Sequence, residues 1–118
     1  MSDAPVADPV VIETTDTAVI ARVNLKLFDE QNLKRMDELI DKAACGRPGV
    51  DTIVLDLSHV QLLPSLGMGA LIQLANKYKE RRQQVELAAV QPQVRTAMKI
   101  TRLDRILEIE ETVEAALM

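Results

Sequence analysis

Thr52-Ile53-Val54-Leu55-Asp56-Leu57 is a short, almost unbroken apolar run rich in β-branched residues. A strand with one wet face alternates between apolar and polar residues. A run without alternation, bounded by turn residues, fits a strand covered on both faces. This run is therefore the expected central strand of a sheet. Downstream, Ser58 to Pro64 leads away from the sheet, and Pro64 holds Leu63 extended, which delays the next helix to about Ser65. Met68, Leu71, Ile72, Ala75 and Tyr78 then recur at helical spacing as one buried stripe. Lys77, Lys79, Arg81 and Arg82 gather at the end of that helix, where its dipole is negative. Val85 to Val90 reads as a further strand. Pro92 suits the first residue of a third helix, with Val94, Ala97 and Met98 turned inward. Ile106 to Ile109 reads as a short last strand and Thr112 to Met118 as one or two helical turns.

Upstream, residues 1–8 read as a loose tail, leaving 9–118 as a single domain. Val10 to Glu13 and Ala18 to Val23 flank the polar Thr14-Thr15-Asp16 and predict an N-terminal hairpin. Asp29 is placed to cap a helix whose apolar stripe is Leu33, Met36, Leu39, Ile40 and Ala43. Gly46-Arg47-Pro48-Gly49 ends it. The order β-β-α-β-α-β-α-β-α implies an α/β domain, a mixed sheet covered by about four helices.

The chain has 118 residues, one Phe, one Tyr and no Trp, so its core must be aliphatic. A net charge of −4 and the lack of interleaved aromatics speak against nucleic acid as a partner. The single Cys45 has no internal disulfide partner, which fits a reducing compartment. The acidic, proline-bearing start Met1-Ser2-Asp3-Ala4-Pro5 does not read as a secretion signal, and no apolar stretch is long enough to span a membrane. The expected location is the cytoplasm.

Residues with chemistry to offer are few. One His (His59) and one Cys give no metal-ligand spacing and no acid–base set, so neither an enzyme nor a cofactor is expected. His59 reads as a turn residue. Asp56 ends the central strand, where a carboxylate usually reaches solvent or caps a loop. Gly67-Met68-Gly69 lacks the further glycines and lysine of a phosphate cradle, and its two glycines are better explained by close packing of the helix start on the sheet. Ser65 remains. At a strand-to-helix junction its hydroxyl is expected to cap the helix. The same position also favours a phosphate through the helix dipole and free N–H groups, and phosphorylation there adds about −1.5 to −2 charges.

The segment Ile53 to Val60, continued by Pro64-Ser65-Leu66-Gly67-Met68-Gly69, resembles the signature of STAS domains, the anti-sigma factor antagonist fold. The start of the first helix, Phe28-Asp29-Glu30-Gln31-Asn32-Leu33, and the spacing of Pro92, Val94, Leu103 and Ile106 extend the resemblance over essentially the whole chain. By position Ser65 corresponds to the serine that, in that family, is phosphorylated by a serine kinase that is also an anti-sigma factor. The unphosphorylated antagonist binds that kinase and frees the sigma factor, and a PP2C-type phosphatase resets the switch. The resemblance thus implies a bacterial partner-switching protein with Ser65 as phosphorylation site. Pro64, Ser65, Leu66, Gly67 and Met68 would be its partner-binding residues.

The chain departs from the family at four places. Pro64 replaces an acidic residue, removing a carboxylate and an N–H donor, and Leu66 replaces a second hydroxyl residue. Leu25 and Arg102 stand where glycines are common. Pro64 and Leu66 make the loop more apolar. They support an alternative reading, a STAS adaptor or scaffold docked without phosphorylation in a signalling assembly or lipid transport system. An apolar loop also leaves a homodimer open.

Overall fold

In a computed structural model, the strand β3 (Thr52–Asp56) sits at the centre of a five-stranded sheet of order β1-β2-β3-β4-β5. The structure describes residues 9–27, 30–45 and 47–118. The tail at 1–8, the Asp29 cap and Gly46 expected above lie outside them. β1 (Val10–Thr14) and β2 (Ala18–Val23) form the antiparallel hairpin. β2, β3, β4 (Gln84–Ala88) and β5 (Glu108–Glu110) are parallel, so the sheet is mixed. Four helices cover it: α1 (Glu30–Ala44), α2 (Ser65–Glu80), α3 (Pro92–Ile100) and the short α4 (Val113–Ala116). A single 3-10 turn, Leu103–Arg105, follows α3.

The pleat sorts β3 as its composition demands. Ile53 and Leu55 point to the front of the sheet, into one aliphatic core with Met36 and Ile40 of α1, Leu71 and Tyr78 of α2, and Met98 of α3. Val54 points to the back, where a smaller cluster joins it to Ile20, Ala88 and the α4 residues Val113 and Ala116. All three β3 side chains are fully buried, which is why the run shows no alternation.

The hairpin turn is closed by Thr15, whose Oγ1 accepts from the Ala18 N–H at 3.0 Å. Gly49 lies against that turn: a Cβ there would meet the Asp16 carbonyl at 3.0 Å. The last strand starts two residues later than its sequence suggests. Ile106 is exposed after the 3-10 turn, and Leu107 enters the core before β5 begins. Arg102, where the family often has glycine, keeps the left-handed conformation at φ 60°. A side chain thus sits where glycine would be least strained.

Candidate functional site

Ser65 opens α2, but as its first helical residue rather than as its cap. Pro64 occupies the N-cap position, extended at φ −67° and ψ 164°, and its carbonyl accepts the Met68 N–H at 3.0 Å. The expected side-chain cap is therefore absent. Ser65 is exposed and its hydroxyl makes no hydrogen bond among the described residues. The first N–H groups of a helix have no intrahelical acceptor, so the hydroxyl stands beside unsatisfied donors at the positive end of a long helix.

The loop that delivers Ser65 is tied down at several points. Asp56 is buried at the end of β3. Its Oδ1 accepts the Ser58 N–H at 3.0 Å, and its Oδ2 accepts from Arg22 Nη1 of the adjacent strand at 2.9 Å. Arg22 is held in turn by Glu13 at 2.7 Å. Asp56 is thus a structural carboxylate, fully engaged in fixing the exit of β3. Gln91 Nε2 donates to the Ser58 carbonyl at 2.7 Å. The Lys26 carbonyl accepts both the Gln61 and the Leu62 N–H groups, at 2.8 and 3.0 Å, and Leu27 pairs with Leu62 in a parallel bridge.

That bridge has a consequence no local reading shows. It brings Leu27, from the segment after β2, next to the loop before α2. Leu27, Leu62 and Leu66 are 44, 63 and 72 % exposed. Three large aliphatic side chains are thus left in water on the segments tied to this junction. The sequence singles out only Leu66. Leu27 and Leu62 escape because the pairing that joins them spans distant positions. Of the residues read from the sequence as contact positions, Pro64, Ser65 and Leu66 are exposed, Gly67 is buried, and Met68 is half-buried against the front core.

Beside Ser65 a groove of about 1040 Å³ runs between α1 and α2, with Leu33, Met36, Ser65, Leu66 and Gly69 among its lining. Gly67 is buried, as close packing requires. Gly69 is not: a Cβ there would meet nothing within 4 Å, so its smallness serves no packing in this chain. At its far end the groove is closed by charge. Asp37 of α1 accepts from Lys77 Nζ at 3.0 Å and from the Tyr78 hydroxyl at 3.2 Å, while Asp41 pairs with Arg81. Burial, reinforced by the Asp37 and Asp41 charges, holds the Tyr78 hydroxyl far above the usual phenol range. Lys77 and Arg81 also lie over the Tyr78 ring, at 5.4 and 5.6 Å from its centre.

Elsewhere the structure offers little chemistry. His59 is exposed in a turn and Cys45 is exposed. Among the described residues no group of three His, Cys, Asp or Glu could hold a metal ion, and no helix is long and apolar enough to cross a membrane.

The site is an exposed serine at a helix N-terminus beside a mixed sheet, with exposed leucines on the adjoining loop segments. Residues 9–116 match the STAS domain family, and the chain belongs to it. Solved structures share the fold. An anti-sigma factor antagonist from Mycobacterium paratuberculosis superposes with a TM-score of 0.72 at 23 % identity, covering 92 % of this chain and 89 % of that one. The Bacillus cell fate determinant SpoIIAA in its phosphorylated form does so at 0.66 and 18 %, over 92 % and 96 %. The murine anion transporter Slc26a9 matches at 0.76 and 17 %, over 89 % of this chain but only 18 % of its own. At these identities the likeness is one of fold.

Proposed function

We propose that this domain is a non-enzymatic protein-binding switch of the anti-sigma factor antagonist kind, acting in the bacterial cytoplasm and set by phosphorylation of Ser65. The observation that carries this reading is the exposed Ser65 hydroxyl at the start of α2, next to the exposed Leu66 and at the end of a loop that carries the exposed Leu62 bridged to Leu27. Exposed aliphatic residues of this kind support docking by burial of aliphatic surface. A phosphate on Ser65 acts oppositely in the free and bound states. In the free domain it is stabilised by the helix N-terminus and by water. In an apolar interface the same dianion must be desolvated, which weakens docking. The proposed partner is a serine kinase that is also an anti-sigma factor, bound by the unphosphorylated domain through Pro64, Ser65 and Leu66. A PP2C-type phosphatase would return Ser65 to its binding form.

The test is mass-spectrometric phosphosite mapping of the protein from its native cells, followed by binding of Ser65→Asp and Ser65→Ala to an anti-sigma factor serine kinase purified from the same cells. Phosphate on Ser65, and binding retained by Ala but lost by Asp, support the switch. Equal binding by wild type and Ser65→Asp sinks it.

A second reading is favoured by the same leucines. A patch of three exposed aliphatic side chains with proline in place of a carboxylate is also a plain contact surface. It suits a constitutive adaptor, as part of a signalling or transport assembly. Binding indifferent to every Ser65 substitution but abolished by Leu66→Asp would select this reading.

A further inference from the structure

The last third of the chain carries two charged surfaces that the Ser65 site does not use, and they lie on opposite faces of the sheet at the β5 edge. On the front, α3 and the 3-10 turn are anchored in the main core by Val94, Met98, Leu103 and Leu107. Their outer side presents Arg95, Lys99, Arg102 and Arg105, none with an ion-pair partner among the described residues, against one exposed acid, Asp104, together with the exposed Ile100 and Ile106. Arg22, Lys77 and Arg81 are paired, whereas Lys79 and Arg82 at the end of α2, like these four, have no ion pair among the described residues. Arg102 even keeps its charge at a left-handed position that glycine would take more easily.

On the back, Glu86 pairs in register with Glu108, and Glu110 follows on the same side of β5, next to Ala88 of the α4 cluster. No cation faces these glutamates among the described residues. Beyond them the exposed Leu117 and Met118 leave α4. One surface thus joins unpaired cations to two exposed isoleucines, and the other joins unpaired acids to two exposed aliphatic side chains.

We propose that the partner of these surfaces is a second copy of this chain, docked side by side along β5 with the basic front of each copy against the acidic back of the other. A two-fold axis along β5, in the plane of the sheet, turns the front of one copy to the side of the other's back. Both contacts then form at once and the assembly closes as a dimer. The strand edges do not extend the sheet across the axis. β5 is three residues long with a glutamate at each end, and such an edge resists strand addition. The contact is therefore one of side chains, with charge setting orientation and the aliphatic residues supplying buried area.

Sedimentation velocity of the whole chain over a range of concentrations tests this. A dimer is expected at low salt, weakened about tenfold or more at about 0.5 M salt, where screening shortens to a few ångströms. Arg95→Glu, Lys99→Glu and Arg105→Glu together make both surfaces acidic, and Glu108→Lys with Glu110→Lys makes both basic. Each of these variants should sediment as a monomer and their equimolar mixture as a dimer. Thermal melts establish that each is folded. Should either unfold, Lys99→Glu with Arg105→Glu, which cancels the positive charge of the front, or Glu108→Lys, which cuts the negative charge of the back, should each weaken self-association on its own, and an undiminished dimer overturns the proposal. Wild type monomeric at every concentration in low salt overturns the proposal. So does a mixture that stays monomeric, or a dimer that survives both reversals and is lost on Leu66→Asp.

Discussion

The two ends of α2 pack against the same neighbour and are built on opposite principles. At the C-terminal end Tyr78 is wholly buried, its hydroxyl is satisfied by Asp37, and Lys77 and Arg81 bind the α1 carboxylates. At the N-terminal end Ser65 has no partner among the described residues, Leu66 stands in water, and Gly69 leaves room that nothing fills. One end holds α1 to α2. The other is left unsatisfied, which is how a surface stays available to something outside the chain. The contrast divides mutational effects. Changes at the clamped end should act on stability and spare docking, and changes at the open end should do the reverse.

The largest expected effect tests the clamped end. Tyr78→Ala removes a fully buried ring from an aliphatic core and should lower unfolding free energy by about 3–5 kcal/mol, read by urea denaturation. Tyr78→Phe keeps the ring and loses only the bond to Asp37, a loss of about 1 kcal/mol. A Tyr78→Phe protein that stays as stable as wild type but no longer binds its partner would break the division.

An intermediate effect is expected where the two principles meet. Asp56 belongs to the sheet, yet it fixes the loop that carries Ser65. Asp56→Ala removes the acceptor of the Ser58 N–H and of Arg22, and should cost about 1.5–3 kcal/mol by the same urea measurement. It should also loosen residues 58–63, so that hydrogen exchange at the loop rises more than at the clamp. Uniform protection after the substitution would mean that the Leu27–Leu62 bridge and Gln91 suffice to hold the loop.

The same division marks what could be read from the sequence. β3 was legible because burial on both faces leaves a one-dimensional trace, an apolar run without alternation. The stripe of α1 was legible for a similar reason, since Leu33, Met36 and Ile40 turn inward at helical spacing. In α2 the periodicity was weaker, and Leu74, which is buried, escaped it. The helix boundary at Ser65 was legible, but the absence of a hydroxyl cap there was not. A serine before a helix suggests a hydroxyl cap, whereas Pro64 takes the cap position with its own backbone and frees the hydroxyl. Leu27 and Leu62 were invisible as a patch because exposure is a tertiary property, created by a bridge between two loops. Ile106 looked like strand because it is β-branched and apolar, yet the 3-10 turn places it outside the core.

A smaller effect, a gain in stability with no gain in docking, comes from Gly69. In a helix interior glycine is less favourable than alanine by about 1 kcal/mol, and here added volume meets nothing. Gly69→Ala should therefore raise the unfolding free energy by up to about 1 kcal/mol. Its effect on partner binding should be a loss or nothing, never a gain through new contacts within the chain. A destabilised Gly69→Ala protein would show that the groove is not as open as its geometry.

The smallest effect lies at the far edge of the sheet and separates stability from docking by pH. Glu86 is partly withdrawn from water beside Glu108 and Glu110. That burial first, and then the two neighbouring charges, raise its carboxyl above the usual range. The folded state therefore holds this proton more tightly than the unfolded chain does. Ionised Glu86 costs stability at neutral pH, and the cost disappears as pH falls through its folded pKa. Glu86→Gln should accordingly raise the melting temperature at pH 7, by less than about 1 kcal/mol in free energy because the side chain still meets solvent. The gain should shrink on acidification, while wild type and variant bind alike through the Ser65 end at every pH. A gain that persists unchanged at pH 4 would assign the effect to packing rather than to charge.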